Sequence, residues 1–120
     1  MNRLILPADF HAIRDAITNH RHLLFTFNDA ARDTCPHMLG RKNGVWKVLA
    51  WQINDAGKGG FKPGEQRWRC FEVAGMSSIV ARDGEWVRGW TTGKKHESCI
   101  NEGEIDMAVS GAYAAEYRSI

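Results

Sequence analysis

The chain has 120 residues, 43% hydrophobic and 25% charged, with a formal net charge of +2. That length suits one domain with its own core, and so small a charge excludes nucleic-acid binding argued from net charge alone. The distribution says more: residues 41–82 carry eight Lys/Arg against three Asp/Glu, whereas residues 83–120 carry four against seven. A basic centre beside an acidic end favours an anionic ligand, although a solvated mixed-charge surface has the same composition. The start, Met1 to Pro7, has too short an apolar run for a signal peptide, and no window reaches the ~18–20 apolar residues of a membrane span. Cys35, Cys70 and Cys99 are odd in number and widely spaced, which argues against a disulfide framework and for a reducing compartment, with the cytoplasm as default.

Residues 8–21 read as a helix, with Phe10, Ile13 and Ile17 on one stripe and Ala16 beside them. Asp9 is placed to cap it, and His20-Arg21-His22 to end it where cations suit the dipole. The period then changes. Leu23, Phe25 and Phe27 alternate as the apolar face of a strand, and Asn28-Asp29 supplies turn chemistry. Residues 31–39 predict a second strand leading to Gly40. Arg41-Lys-Asn-Gly44 predicts a hairpin turn, and residues 45–53 a third strand, apolar on both faces and hence central. Residues 54–66 read as a Gly-rich loop of the kind that lies over binding surfaces. Residues 67–73 predict a fourth strand and Met76 to Ala81 a short fifth. Asp83-Gly84 is a turn signal, 85–90 is ambiguous and Thr91 to Glu97 reads as loop. The alternation of Ile105, Met107 and Val109 predicts a late strand, and Tyr113 to Tyr117 a terminal helical turn. One helix followed by short strands suggests a mainly β (α+β) single domain, a small β-barrel or strongly bent sheet with an N-terminal helix, the barrel being favoured.

A Leu-Phe-x-Phe strand after a helix, then Pro36-His37-x-Leu39-Gly40, Gly44-x-Trp46-x-Val48-x-Ala50-Trp51 and Arg69-x-Phe71-x-Val73, resembles the WYL domain family. The resemblance covers roughly residues 10–80. It implies a bacterial ligand-binding module with an Sm-like (SH3-like) β-barrel, of the kind found in transcription regulation and nucleic-acid handling. The family's Trp-Tyr-Leu falls on Trp46-Lys47-Val48, so the motif tyrosine is Lys47, and its Asp-Arg pair is replaced by Ala74-Gly75. The core then spans about residues 8–82, and residues 83–120 form a C-terminal extension.

The candidate binding residues are His37, Lys47, Trp51, Gln52, Arg67 and Arg69. The resemblance implies that His37 and Arg69 line a pocket. Arg67 and Arg69 lie two apart on a strand and share a face, which suits forked contacts to phosphate or carboxylate. Trp51 suits stacking on a base, with Gln52 and His37 on polar edges, and Lys47 brings a charge to the face of Trp51. Each has a plainer role open to it, as core or solvated surface. The pairs Cys35/His37 and His96/Cys99 lack any recognised zinc spacing, and no phosphate loop, nucleophile elbow or His-Glu-x-x-His is present. The pattern therefore points to a non-catalytic module without cofactor that binds a nucleotide or single-stranded nucleic acid. Two alternatives stand beside it. One is a protein-interaction or homodimer module with a degenerate pocket; the other is a small phosphoester hydrolase using His37 with Glu104 or Asp106.

Overall fold

A computed structural model describes residues 3–54, 67–88 and 99–109. The first element, α1 (Pro7–Thr18), starts at a proline whose fixed φ suits the first helical position. Asp9 stands inside the helix rather than before it, and its carboxylate accepts the Leu6 N–H at 2.8 Å. It also takes the Arg3 guanidinium at 2.7 Å, and that bond holds the Asp9 carboxyl below its ordinary value. Its contribution to stability is thus present above the unfolded carboxyl's range and lost as pH falls through the lowered one. An NMR pH titration should find Asp9 ionising below 3.8, and Arg3→Ala should move it upward. The helix ends earlier than the charge pattern suggests. His20 takes a left-handed φ of 51°, and His22 already belongs to a strand.

Among the described residues six strands of one antiparallel sheet follow the helix: β1 (His22–Phe27), β2 (Ala30–Lys42), β3 (Val45–Gln52), β4 (Trp68–Glu72), β5 (Ser77–Arg82) and β6 (Ile105–Ala108). Both hairpin turns hold left-handed residues, Asn28 and Asp29 in one, Asn43 and Gly44 in the other, which is the conformation that matches strand twist. A short 3-10 turn, Val73–Gly75, joins β4 to β5. The order is β4-β3-β2-β1-β5, with β6 on β2. β2 is longer than the sequence suggests and divides one edge between two neighbours: β1 pairs with Thr34 and the residues before it, and β6 with Met38 to Gly40. Among the described residues the sheet is open, with no pairing between its end strands β4 and β5, so the structure shows a mainly β fold of one helix and one antiparallel sheet without the closure of a barrel. Of the loop expected at 54–66 only Asn54 is described, and the expected loop at 91–97 and helical turn at 113–117 lie outside the described residues.

The sheet has a core on each face, as the doubly apolar β3 requires. On the helix side Val48 and Ala50 join Ile13, Ala16, Ile17, Leu23, Phe25 and Phe71. On the other, Leu49 and Trp51 join Met38, Trp68 and Ile100. Trp46 lies on the helix side, its ring 4.8 Å edge-on from Phe10. No helix among the described residues is long and apolar enough to cross a membrane.

The cysteines depart from expectation. Cys70 and Cys99 form a disulfide, while Cys35 is a buried free thiol pushed up to about 11 by desolvation. Disulfides persist in oxidising surroundings, so the reducing-compartment argument loses its premise. The bond ties β4 to the segment that delivers Ile100 and β6. There Gly40 meets the returning chain so closely that an added Cβ would stand 2.6 Å from the Glu104 carbonyl oxygen. Gly40→Ala should therefore cost about 1–3 kcal/mol, the usual range for forced overpacking, and loosen β6. Denaturant unfolding checks this; a loss below roughly 0.5 kcal/mol would mean the backbone yields freely.

Candidate functional site

The ladder decides which side chains meet. Gln52 lies opposite Thr34, the Gln52 N–H bonds the Arg67 carbonyl at 2.9 Å, and Arg69 lies opposite Ala50. Cross-strand partners point the same way, so Gln52, Arg67 and Arg69 share the helix-side face. Arg32, opposite Phe25 on β1, joins them there. These four side chains gather at one end of that face, beyond the apolar core.

Arg32 is the centre of the group. Its Nε and Nη2 donate to the Phe27 carbonyl at 3.3 and 3.0 Å, and its Nη1 to Gln52 Oε1 at 3.3 Å. The guanidinium carbon lies 5.8 Å from the centroids of both Phe27 and Phe71, within cation–π range. Gln52 is 2% exposed and turns its amide N–H to the Asn54 carbonyl at 2.8 Å, so it orients Arg32. Arg67 Nη1 reaches the Ile53 carbonyl at 3.4 Å, and Arg69 Nη1 the Trp68 carbonyl at 2.8 Å.

The electrostatics follow from this crowding. Half-burial lowers the pKa of Arg32, and the positive charge of Arg69 lowers it further. Among the described residues no carboxylate pairs with Arg32. A half-desolvated guanidinium beside a second one is stabilised by an anion placed between them. Phe27 also lines a polar cavity of about 500 Å³, with Thr26, Asn28, Asp29, Glu72, Gly75 and Ser77.

The remaining predicted residues lie elsewhere. A bulge between Pro36 and Met38 breaks the alternation of β2. His37 is fully buried, its Nδ1 2.8 Å from the Cys35 carbonyl and its ring 4.9 Å edge-on from Trp68. Trp51 is 5% exposed and packs edge-on against Trp68 at 5.3 Å. Lys47, half-buried and opposite Glu72, shares the parity of Trp51. The six predicted residues thus divide by face: Gln52, Arg67 and Arg69 on the helix side, and His37, Lys47 and Trp51 on the other. The carboxylates weighed for a hydrolase are engaged elsewhere. Glu104 accepts from Asn101 at 2.9 Å, and Asp106 binds Arg14 on α1 at 2.9 Å.

Arg32, Phe27 and Phe71 are the members that sequence reasoning missed. Alternation puts Arg32 in step with Thr34, but only the pairing of Thr34 with Gln52 reveals the shared face. Comparison of the chain with protein-family models, with curated proteins and with solved structures finds no match to any.

Proposed function

We propose that this chain is a non-catalytic binding domain that takes an anionic ligand, a nucleotide or the end of a single-stranded nucleic acid, on the arginine end of its helix-side face. The observation that carries the reading is Arg32, half-buried, next to Arg69 and without a carboxylate partner among the described residues. Phosphate lies against Arg32 with Arg69 and Arg67. The sugar or base extends past Phe27 toward the polar cavity, where Asn28 and Asp29 offer hydrogen-bonding groups. A guanidinium plane is also a surface on which bases stack. The WYL-like motif order supports the same reading, and Arg69 is the motif arginine within the cluster.

Calorimetric titration with mono- and dinucleotides and short single-stranded DNA and RNA, at low and physiological salt, tests it. Saturable binding that weakens with salt is the expected result, since charge attraction is screened over roughly 8–10 Å at physiological ionic strength. Flat titrations of folded protein at both salts would remove the proposal.

A further inference from the structure

Residues 83–88 have no regular secondary structure, yet they lie against the second face of the sheet. Contacts along the segment hold them there. Asp83 binds Arg21 at 2.8 Å, and the Glu85 carbonyl sits 2.6 Å from His22 Nε2. Trp86 packs between His37 and His20, with ring centroids at 4.7 and 4.9 Å, and the Val87 N–H reaches Cys35 Sγ at 3.4 Å. Gly84 lies so close to the His22 ring that an added Cβ would meet it at 2.9 Å.

His22 is 7% exposed, and its Nδ1 is 2.8 Å from Asp33 Oδ1. Both ring nitrogens therefore face acceptors, a carboxylate on one side and a backbone carbonyl on the other. The ring satisfies both only as the imidazolium, which donates twice. A neutral ring keeps one N–H. The carboxylate is the stronger acceptor, so that proton stays on Nδ1. Nε2 then turns a lone pair toward the Glu85 carbonyl, and the contact becomes repulsive. Among the described residues the charged groups around the ring are few. Asp33 on β2 favours the imidazolium, and Arg82 on β5, opposite His22 in the ladder and 3.7 Å from Asp33 Oδ2, opposes it. On the segment itself the Glu85 side chain is exposed, and Asp83, 91% exposed, is bound to Arg21; Asp15 on α1 binds the same arginine at 2.6 Å. His20 and His37 face Trp86 instead.

We propose that residues 83–88 form a pH-gated strap, fastened over the His37–Trp51–Trp68 face by doubly protonated His22 and released when Nε2 loses its proton. The strap lies on the face opposite the arginine cluster, so the inference stands whether or not that cluster binds a nucleotide. Release uncovers Trp86 and the aromatic wall beneath it.

Hydrogen exchange of the amides of residues 85–88, at pH 5.5 and 8.0 and corrected for intrinsic rates, tests this on the whole chain. Protection of the Val87 amide should fall at least ~10-fold at the higher pH, which corresponds to about 1.4 kcal/mol. His22→Gln should abolish the pH dependence, and Gly84→Ala, which pushes the strap off an intact ring, should show low protection at both pH values. Unchanged protection in the native chain, or pH dependence surviving in His22→Gln, would overturn the proposal. Should His22→Gln fail to fold by circular dichroism, the ring nitrogen shifts of the native chain decide. A neutral tautomer protonated at Nδ1 supports the gate, and one protonated at Nε2 overturns it.

Discussion

Arg32→Ala should weaken nucleotide binding by about 10- to 100-fold, which corresponds to losing one charge-assisted contact worth roughly 1.5–3 kcal/mol. The free protein should keep its stability to within about 1 kcal/mol. Two effects oppose one another there: the variant gives up the ring contacts with Phe27 and Phe71, but it also removes a half-buried charge beside Arg69. Arg32→Lys should recover only part of the affinity, because an ammonium keeps the charge and loses the fork. Titration calorimetry and thermal unfolding on the same samples separate the possibilities. A variant with full affinity and a lower melting temperature would make Arg32 a packing residue and move the site elsewhere.

The second large effect concerns the disulfide. Cys70 and Cys99 are 29 residues apart in sequence. Closing a loop of that size stabilises by about 3–4 kcal/mol in the chain-entropy account, so reduction, or Cys70→Ser, should lower the melting temperature by roughly 10 °C. The loss should be felt first in Ile100 and β6, which follow the bond directly, and only then in the β1–β3 meander. Alkylation of denatured protein before and after reduction counts the thiols: one, from Cys35, and then three. Three thiols without reductant would show that the bond does not form in the protein as purified.

Much of the fold is written locally. The alternation of Leu23, Phe25 and Phe27, the Asn43-Gly44 turn and the doubly apolar Val45–Gln52 each report a conformation that neighbouring residues determine. The late strand at Ile105 was legible for the same reason. What was not legible depends on register between strands. Arg67 and Arg69 share a face by alternation, but nothing in their segment says that the same face carries Arg32 rather than His37. The bulge beside His37 then moves Met38 to the face opposite the one that a straight strand running from Arg32 would have given it. Cysteine pairing is of the same kind: spacing along the chain says little about Cys70 and Cys99, because β4 and the segment before β6 meet only through their separate pairings with β3 and β2. The helix end is not legible either, because the cations at His20 to His22 suit a helix terminus and a turn equally well.

The divided edge of β2 sets an order of events during folding. Its pairings with β1 and β3 close through two-residue turns and need little loop entropy. Its pairing with β6 waits for residues from the far end of the chain, so that stretch of Met38 to Gly40 completes last. Until then Met38 and Leu39 lie on a bare strand edge, a template that a neighbouring chain can capture. The vulnerable interval of this protein is therefore the time between forming the meander and docking β6, and it falls when the chain leaves the ribosome as well as when it refolds in the tube.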